Sequence, residues 1–169
     1  VKLINITQNT TLLSFEAFPG FQGGVYVALA DINSDNTLAL IVGAGQGAAP
    51  SVAVFNGLTG QVITSFYAFS PQFTGGVRVA AADTNNDGKI DIVTGSGFGA
   101  RATLNIFDGA DSFKLKSAVF TLNDTFTGGV YVSSGDLNGD GRAEVIVGAG
   151  QGYTPTVVVY QGGTNLERI

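Results

Sequence analysis

The sequence predicts an all-β fold, an array of repeated four-stranded antiparallel sheets. Three observations carry that expectation. The stretch "GGVYVALADIN" at Gly23 recurs as "GGVRVAAADTN" at Gly75 and "GGVYVSSGDLN" at Gly128, a period of about fifty residues. Each unit holds four short apolar segments punctuated by Gly, Asn and Asp clusters, and no segment has helical periodicity. Composition agrees. The 169 residues are 44% hydrophobic, only 12% charged and include 25 glycines. Short buried strands and tight turns suit that mixture, whereas long amphipathic helices need far more Glu, Lys and Arg.

Residues 1–18, "VKLINITQNTTLLSFEAF", align without gaps on residues 52–69, "VAVFNGLTGQVITSFYAF". They read as the second half of a sheet, and their 11–18 segment as an outer strand that another chain's last sheet can accept. Residues 19–69 are the first full unit, with strands at 25–30, 39–43, 51–55 and 62–67. In the first of these, Val25, Val27 and Leu29 alternate with Tyr26, Ala28 and Ala30. The small residues recur as Ala80 and Ala82, then Ser133 and Gly135, which suits a crowded place near an axis. Residues 70–121 form the second unit. Residues 122–169 form the third, whose outer strand is incomplete at "NLERI". The stretch "IVGAGQGAAPSVAVF" at Ile41 recurs as "IVTGSGFGARATLNIF" at Ile92 and "IVGAGQGYTPTVVVY" at Ile146, with one extra residue in the middle copy.

Four strands at this period is the spacing of β-propeller blades. A sandwich needs no sequence repeat, and solenoid periods are usually shorter. Three blades and a half-blade fall short of the four to eight that usually close a ring. The expectation is therefore a part of a longer propeller, pairing with a copy of itself, or an open assembly. A start at Val1, without Met or a signal peptide, reads as a mature or excised piece.

The net charge is −5 and no basic stripe exists, so nucleic acid is not an expected partner. No apolar run is long enough for a membrane-spanning helix, and membrane insertion is not expected. Cys and His are absent, which removes most zinc, copper and haem sites, cysteine nucleophiles and triads with a His base. Outside the acidic loops described next, only Glu16, Asp108, Asp111, Asp124 and Glu167 are acidic. They form no motif for glycoside hydrolysis, and a non-enzyme is expected. "GAGQG" at Gly43 and Gly148 lacks the Lys-Ser/Thr and the following helix of a phosphate loop, so it reads as a structural turn. Asn5, Asn9 and Asn123 begin N-glycosylation sequons. Phe15, Phe18, Phe21, Phe66, Phe69, Phe73, Phe120 and Phe126 recur at unit junctions, as blade-to-blade packing requires. Arg78 shares a repeat position with Tyr26 and Tyr131, a variability that suggests exposure.

"DTNNDGKID", residues 83–91, places oxygen side chains at its first, third, fifth and ninth positions and glycine at the sixth. Alternate Asp, Asn and Asp point into one concavity, glycine permits the sharp turn, and the seventh residue offers a backbone carbonyl. Such a set suits calcium, which takes six to eight oxygen ligands. The candidate ligands are Asp83, Asn85, Asp87, Lys89 through its carbonyl, and Asp91. Asp136, Asn138, Asp140, Arg142 through its carbonyl, and Glu144 repeat the pattern. The first unit keeps Asp31, Asn33 and Asp35, but Asn36 replaces the glycine and Ala39 the last carboxylate, so weak or no calcium is expected there. Position twelve is Thr94 or Val147, which excludes an EF-hand. A polar Asx turn is the alternative. Two full copies in register with the repeat favour calcium, because these loops hold most of the acidic residues and would otherwise repel one another.

"FTGGV", "DxNxDGxxD" and "GxGxGxxP" at this spacing resemble the FG-GAP repeat family, and the related VCBS-type repeats of bacterial surface proteins. The resemblance covers nearly the whole chain. It implies a β-propeller with calcium in the loops between the first and second strands of a blade, held by the two ligand sets above. Members include the integrin α-chain head and many secreted or surface-anchored microbial proteins. There the fold serves adhesion, ligand binding or assembly and not catalysis. The blade count departs from the seven of the integrin-type ring. The expected function is a non-catalytic extracellular or cell-surface calcium-binding module for adhesion or self-assembly. Its expected partners are other copies, further blades, or a glycan or protein ligand. A carbohydrate-binding lectin and an accessory domain of a larger secreted enzyme are the alternatives.

Overall fold

The computed structural model describes residues 1–163 and 165–169. Every helix or strand among them is a β-strand, and no helix is long and apolar enough to cross a membrane. β1 (Lys2–Asn5) and β2 (Thr10–Ser14) form a hairpin. β3 (Val25–Ala30), β4 (Ala39–Ala44), β5 (Ser51–Asn56) and β6 (Val62–Tyr67) make the first sheet. β7 (Val77–Ala82), β8 (Asp91–Ser96), β9 (Thr103–Asp108) and β10 (Lys114–Phe120) make the second. β11 (Val130–Gly135), β12 (Glu144–Ala149) and β13 (Val157–Tyr160) make the third. Each sheet is a meander, with neighbouring strands antiparallel. The described residues therefore form an all-β protein of repeated antiparallel sheets.

Two expected boundaries move. The strand expected at 11–18 is Thr10–Ser14 and lies in its own hairpin, with Lys2 opposite Ser14 and Leu3 opposite Leu13. The Phe15 amide donates to the Val1 carbonyl at 3.0 Å. The extra residue assigned to the middle copy also moves. Gly43 pairs with Tyr26, Gly95 with Arg78 and Gly148 with Tyr131. This register makes Val93, not Ile92, the counterpart of Ile41. The added residue lies instead in the β9–β10 turn: Leu115 pairs with Phe107, eight residues on, where the first sheet pairs Val62 with Phe55, seven residues on.

The glycines explain why this register is kept. A Cβ on Gly43 would collide with the Val77 carbonyl oxygen of β7 and stand 3.0 Å from Val79 Cγ1. A Cβ on Gly95 would lie 2.9 Å from the Val130 carbonyl oxygen and 2.8 Å from Val132 Cγ1. In each case the first strand of the next sheet runs against the second strand of the sheet before it.

Packing follows from that approach. Ile41, Val52 and Val54 of the first sheet meet Val77, Val79 and Phe107 of the second. Val93, Leu104 and Ile106 meet Val130, Val145, Val147 and Val158 of the third. The hairpin covers the other side of the first sheet, with Val1, Phe15 and Phe18 against Leu40, Val42 and Phe55. Each fully buried Val, Leu or Ile is worth about 1.5–3 kcal/mol. β4 and β8 are buried at every residue because both faces are covered. β3 behaves differently. Its Val25, Val27 and Leu29 are 40%, 54% and 50% exposed, although they are the larger apolar half of the alternation. The hairpin supplies only the outer part of a preceding sheet and leaves them bare.

The junction aromatics pack as pairs. Phe15 sits 4.8 Å from Phe55, Phe66 4.6 Å from Phe107, and Phe126 4.7 Å from Tyr153. Phe120 is the exception, exposed beneath Arg101. The variable position is not simply exposed either. The half-buried Arg78 lies between Tyr26 and Tyr131, 5.2 Å and 4.9 Å from their ring centres. It also donates from Nη1 to the Ser96 carbonyl at 3.1 Å. The position thus holds a cation–π stack across three sheets.

Candidate functional site

The three acidic loops join the first and second strands of their sheets. Each is organised by the carboxylate at its first position. Asp83 Oδ1 accepts the amides of Asn86 at 2.7 Å and Asp87 at 3.2 Å, and Oδ2 accepts that of Gly88 at 2.8 Å. Asp136 does the same for Gly139 at 2.7 Å and Gly141 at 2.9 Å. Asp31 does so for Asp35 at 3.1 Å and Asn36 at 2.8 Å. The third and fifth side chains continue inward: Asn85 Oδ1 accepts the Asp87 amide, and Asp87 Oδ1 accepts the Lys89 amide. Asn138 and Asp140 repeat this pair.

The tight curl needs left-handed residues at two positions. The sixth is Asn36, Gly88 or Gly141, with φ of 63°, 80° and 86°. The fourth is Ser34, Asn86 or Gly139, with φ of 58°, 61° and 79°, and the motif does not announce it. Asn tolerates this region better than most residues, so Asn36 keeps the first loop curled without glycine.

The ninth position separates the loops. Asp91 is fully buried. Its Oδ2 accepts the Thr84 amide at 3.2 Å and the Thr84 hydroxyl at 2.5 Å, and its Oδ1 accepts the Gly109 amide at 3.0 Å. It binds the loop to the β9–β10 turn, and no side-chain hydrogen bond joins it to Asp83, Asn85 or Asp87. Glu144 is also buried but reaches one methylene further. Its Oε2 accepts the Leu137 amide at 2.8 Å, and its Oε1 accepts Asn138 Nδ2 at 3.1 Å. The same Nδ2 donates to Asp140 Oδ2 at 3.2 Å. Asn138, Asp140 and Glu144 are thus joined, with a donor nitrogen between two carboxylates. Ala39 closes nothing in the first loop, where the Gly57 amide turns to the Leu38 carbonyl instead, at 3.1 Å.

The two complete loops also touch. The Ala143 amide donates to the Asp83 carbonyl at 2.9 Å, and Gly141 lies against the Asn86 side chain. That link was not legible from spacing.

The donor set is entirely oxygen, the chemistry of a hard cation such as calcium. Asp87 and Asp140 each accept a single backbone amide and keep lone pairs beyond it, whereas four amides already converge on Asp83. Among the described residues no three His, Cys, Asp or Glu side chains cluster as a metal group. Any ion must therefore draw on Asn85 or Asn138 and on backbone carbonyls as well as on carboxylates.

Charge states follow the contacts. Burial pushes the Asp91 carboxyl above its ordinary range, against the opposing hydrogen bonds from Thr84 and Gly109. The Gly141 and Gly139 amides hold the exposed Asp136 carboxyl below that range. A carboxyl depressed in the folded state stabilises it above the unfolded value near pH 4, and that contribution is lost as pH falls through the lower folded value. Asp136→Asn should flatten the acid limb of stability against pH, read by urea unfolding in chelator between about pH 2 and 6. An unchanged limb would contradict the assignment.

Comparison with known proteins bears on this same region. No curated protein matches the chain. Residues 83–147 match a family model described as an FG-GAP-like repeat. The match begins on the first ligand-type residue of the second loop and extends past the whole of the third into β12. The chain therefore carries an FG-GAP-type repeat.

Proposed function

We propose that the chain is a non-catalytic, extracellular or cell-surface β-propeller module that holds calcium in the loops 83–91 and 136–144 and serves adhesion or assembly. The observation that supports it most is the shared build of these loops. In both, a leading Asp gathers backbone amides, an Asn and an Asp add side-chain oxygens, and a buried carboxylate anchors the ninth position. Asp83, Asn85, Asp87 and the Lys89 carbonyl would hold one ion, with Asp91 as anchor. Asp136, Asn138, Asp140, the Arg142 carbonyl and Glu144 would hold the other. The ion would replace the Asn138 amide nitrogen as the positive partner of Asp140 and Glu144. The first loop, without a ninth carboxylate, would bind weakly or not at all.

Extracellular calcium modules bind at about 10⁻⁴–10⁻³ M. At ten times Kd each site adds about 1.4 kcal/mol, so two sites should raise Tm by roughly 5–10 °C for a chain of this size. Thermal unfolding in chelator, in millimolar calcium and in millimolar magnesium reads this directly. The rise should be specific to calcium and absent from the double variant Asp87→Ala, Asp140→Ala. Equal curves in all three media would leave the loops as turns only.

A glycan-binding reading draws on a different feature. Asn85, Lys116, Arg142, Gln161, Asn165 and Glu167 line a polar cleft of about 450 Å³ beside the loops. Binding on a glycan array that survives the loop substitutions would favour it, and silence across the array would count against it.

A further inference from the structure

The third sheet ends in a face built like the two inter-sheet faces inside the molecule, yet none of the described residues lies across it. In the first sheet, the rows Tyr26–Gly43–Val52 and Ala28–Ile41–Val54 point at the second sheet. In the second, Arg78–Gly95–Leu104 and Ala80–Val93–Ile106 point at the third. The matching rows of the third are Tyr131–Gly148–Val157 and Ser133–Ile146–Val159. Val52 and Leu104 are 0% exposed, whereas Val157 is 67% exposed. Gly148 carries the sharper signal. Gly43 and Gly95 lack a side chain because a carbonyl of the next first strand occupies that space. A Cβ on Gly148 would meet only Tyr131 Cβ of its own sheet, at 3.9 Å.

What covers such a face is visible twice in the chain: the apolar row of a first strand, Val77 and Val79 in one case and Val130 and Val132 in the other. One first strand has that row bare, namely β3 with Val25, Val27 and Leu29. The geometry points to a second copy of this chain as the occupant, its β3 laid against Gly148 as β7 lies against Gly43. The contact is head-to-tail, so it either closes into a ring or propagates. Two copies bring together about six sheets, within the range at which such rings close. The hairpin strand β1 stands in the third-strand place that an incoming β13 needs, so docking must displace β1. This deepens the assembly part of the proposed function. It uses no loop ligand and does not depend on calcium.

The test is solution mass by light scattering and sedimentation, with chelator and with calcium. Wild type should associate as its concentration rises toward about 100 μM, in both media. Gly148→Val should remain a monomer with an unchanged or higher melting temperature, since its own sheet has room for the side chain. Val27→Asp should also remain monomeric, and mixing the two variants should restore a one-to-one complex, because each keeps one intact face. Hydrogen exchange should show residues 2–5 losing protection in the complex. A wild type that stays monomeric, a Gly148→Val protein that associates normally, or a complex in which β1 stays protected would each overturn the inference. A folded monomer that still gains stability with calcium would sink the assembly and spare the metal reading.

Discussion

Replacing Gly43 by valine should destabilise the chain by about 3–5 kcal/mol, at the upper end for a single substitution. Overpacking in a core usually costs about 1–3 kcal/mol because side chains can shift. Here the new Cβ meets the Val77 carbonyl oxygen, and β7 cannot yield without parting the two sheets. Parting them exposes Ile41, Val52, Val54 and Val77, all fully buried. Gly148→Val supplies the internal control. It adds the same side chain at the equivalent repeat position, on an open face, and should change monomer stability by no more than about 0.5 kcal/mol. Denaturant midpoints of the two variants, measured side by side in dilute solution, separate close approach from strand propensity. Equal losses would mean that the glycine serves its own strand and not the neighbouring sheet.

Asp91→Ala should cost about 3 kcal/mol, measured in chelator so that no metal enters the comparison. The carboxylate is the acceptor for the Thr84 amide, the Thr84 hydroxyl and the Gly109 amide. Thr84 is fully buried, so its donors would have no solvent to turn to. Asp91→Asn retains one acceptor oxygen and should lose about half as much. Its loss is softened because the charged form of Asp91 is already disfavoured by burial. If both variants lost nothing, Asp91 would be a dispensable wall of the loop. If the losses appeared only with calcium present, it would be a ligand and not an anchor.

The repeat made the strands legible, and where sequence reading failed it did so for identifiable reasons. The dipeptide Ile-Val occurs in all three units, which invites alignment of Ile92 with Ile41. The register is set instead by the close-approach glycines, because a carbonyl of the next sheet tolerates no Cβ there. The 11–18 segment matches 62–69 residue by residue, and its ladder repeats that register and bulge as far as the Phe15–Val1 bonds. Phe15 is held both by its backbone hydrogen bonds to Val1 and by packing on Phe55, and Phe18 by packing on Phe21. In the acidic loops, spacing identifies the oxygens but not their direction. Asp91 and Glu144 occupy the same position with the same charge, and one methylene decides whether the carboxylate reaches Asn138 or stops at Thr84. The first unit shows the same physics in reverse. With Ala39 in place of a carboxylate, the Gly57 amide bonds to the Leu38 carbonyl, a substitution of partner that no motif records. The Tyr26–Arg78–Tyr131 stack escaped because its members differ in chemistry and become a unit only when three sheets are superposed.

The most direct test of the proposed function is the number of calcium ions bound per chain, counted by equilibrium dialysis in low-millimolar calcium. The account predicts about two, falling to one in Asp87→Ala, to one in Asp140→Ala and to none in the double variant, with Asp35→Ala unchanged. Zero in the wild type, or a count that ignores Asp87 and Asp140, would contradict it.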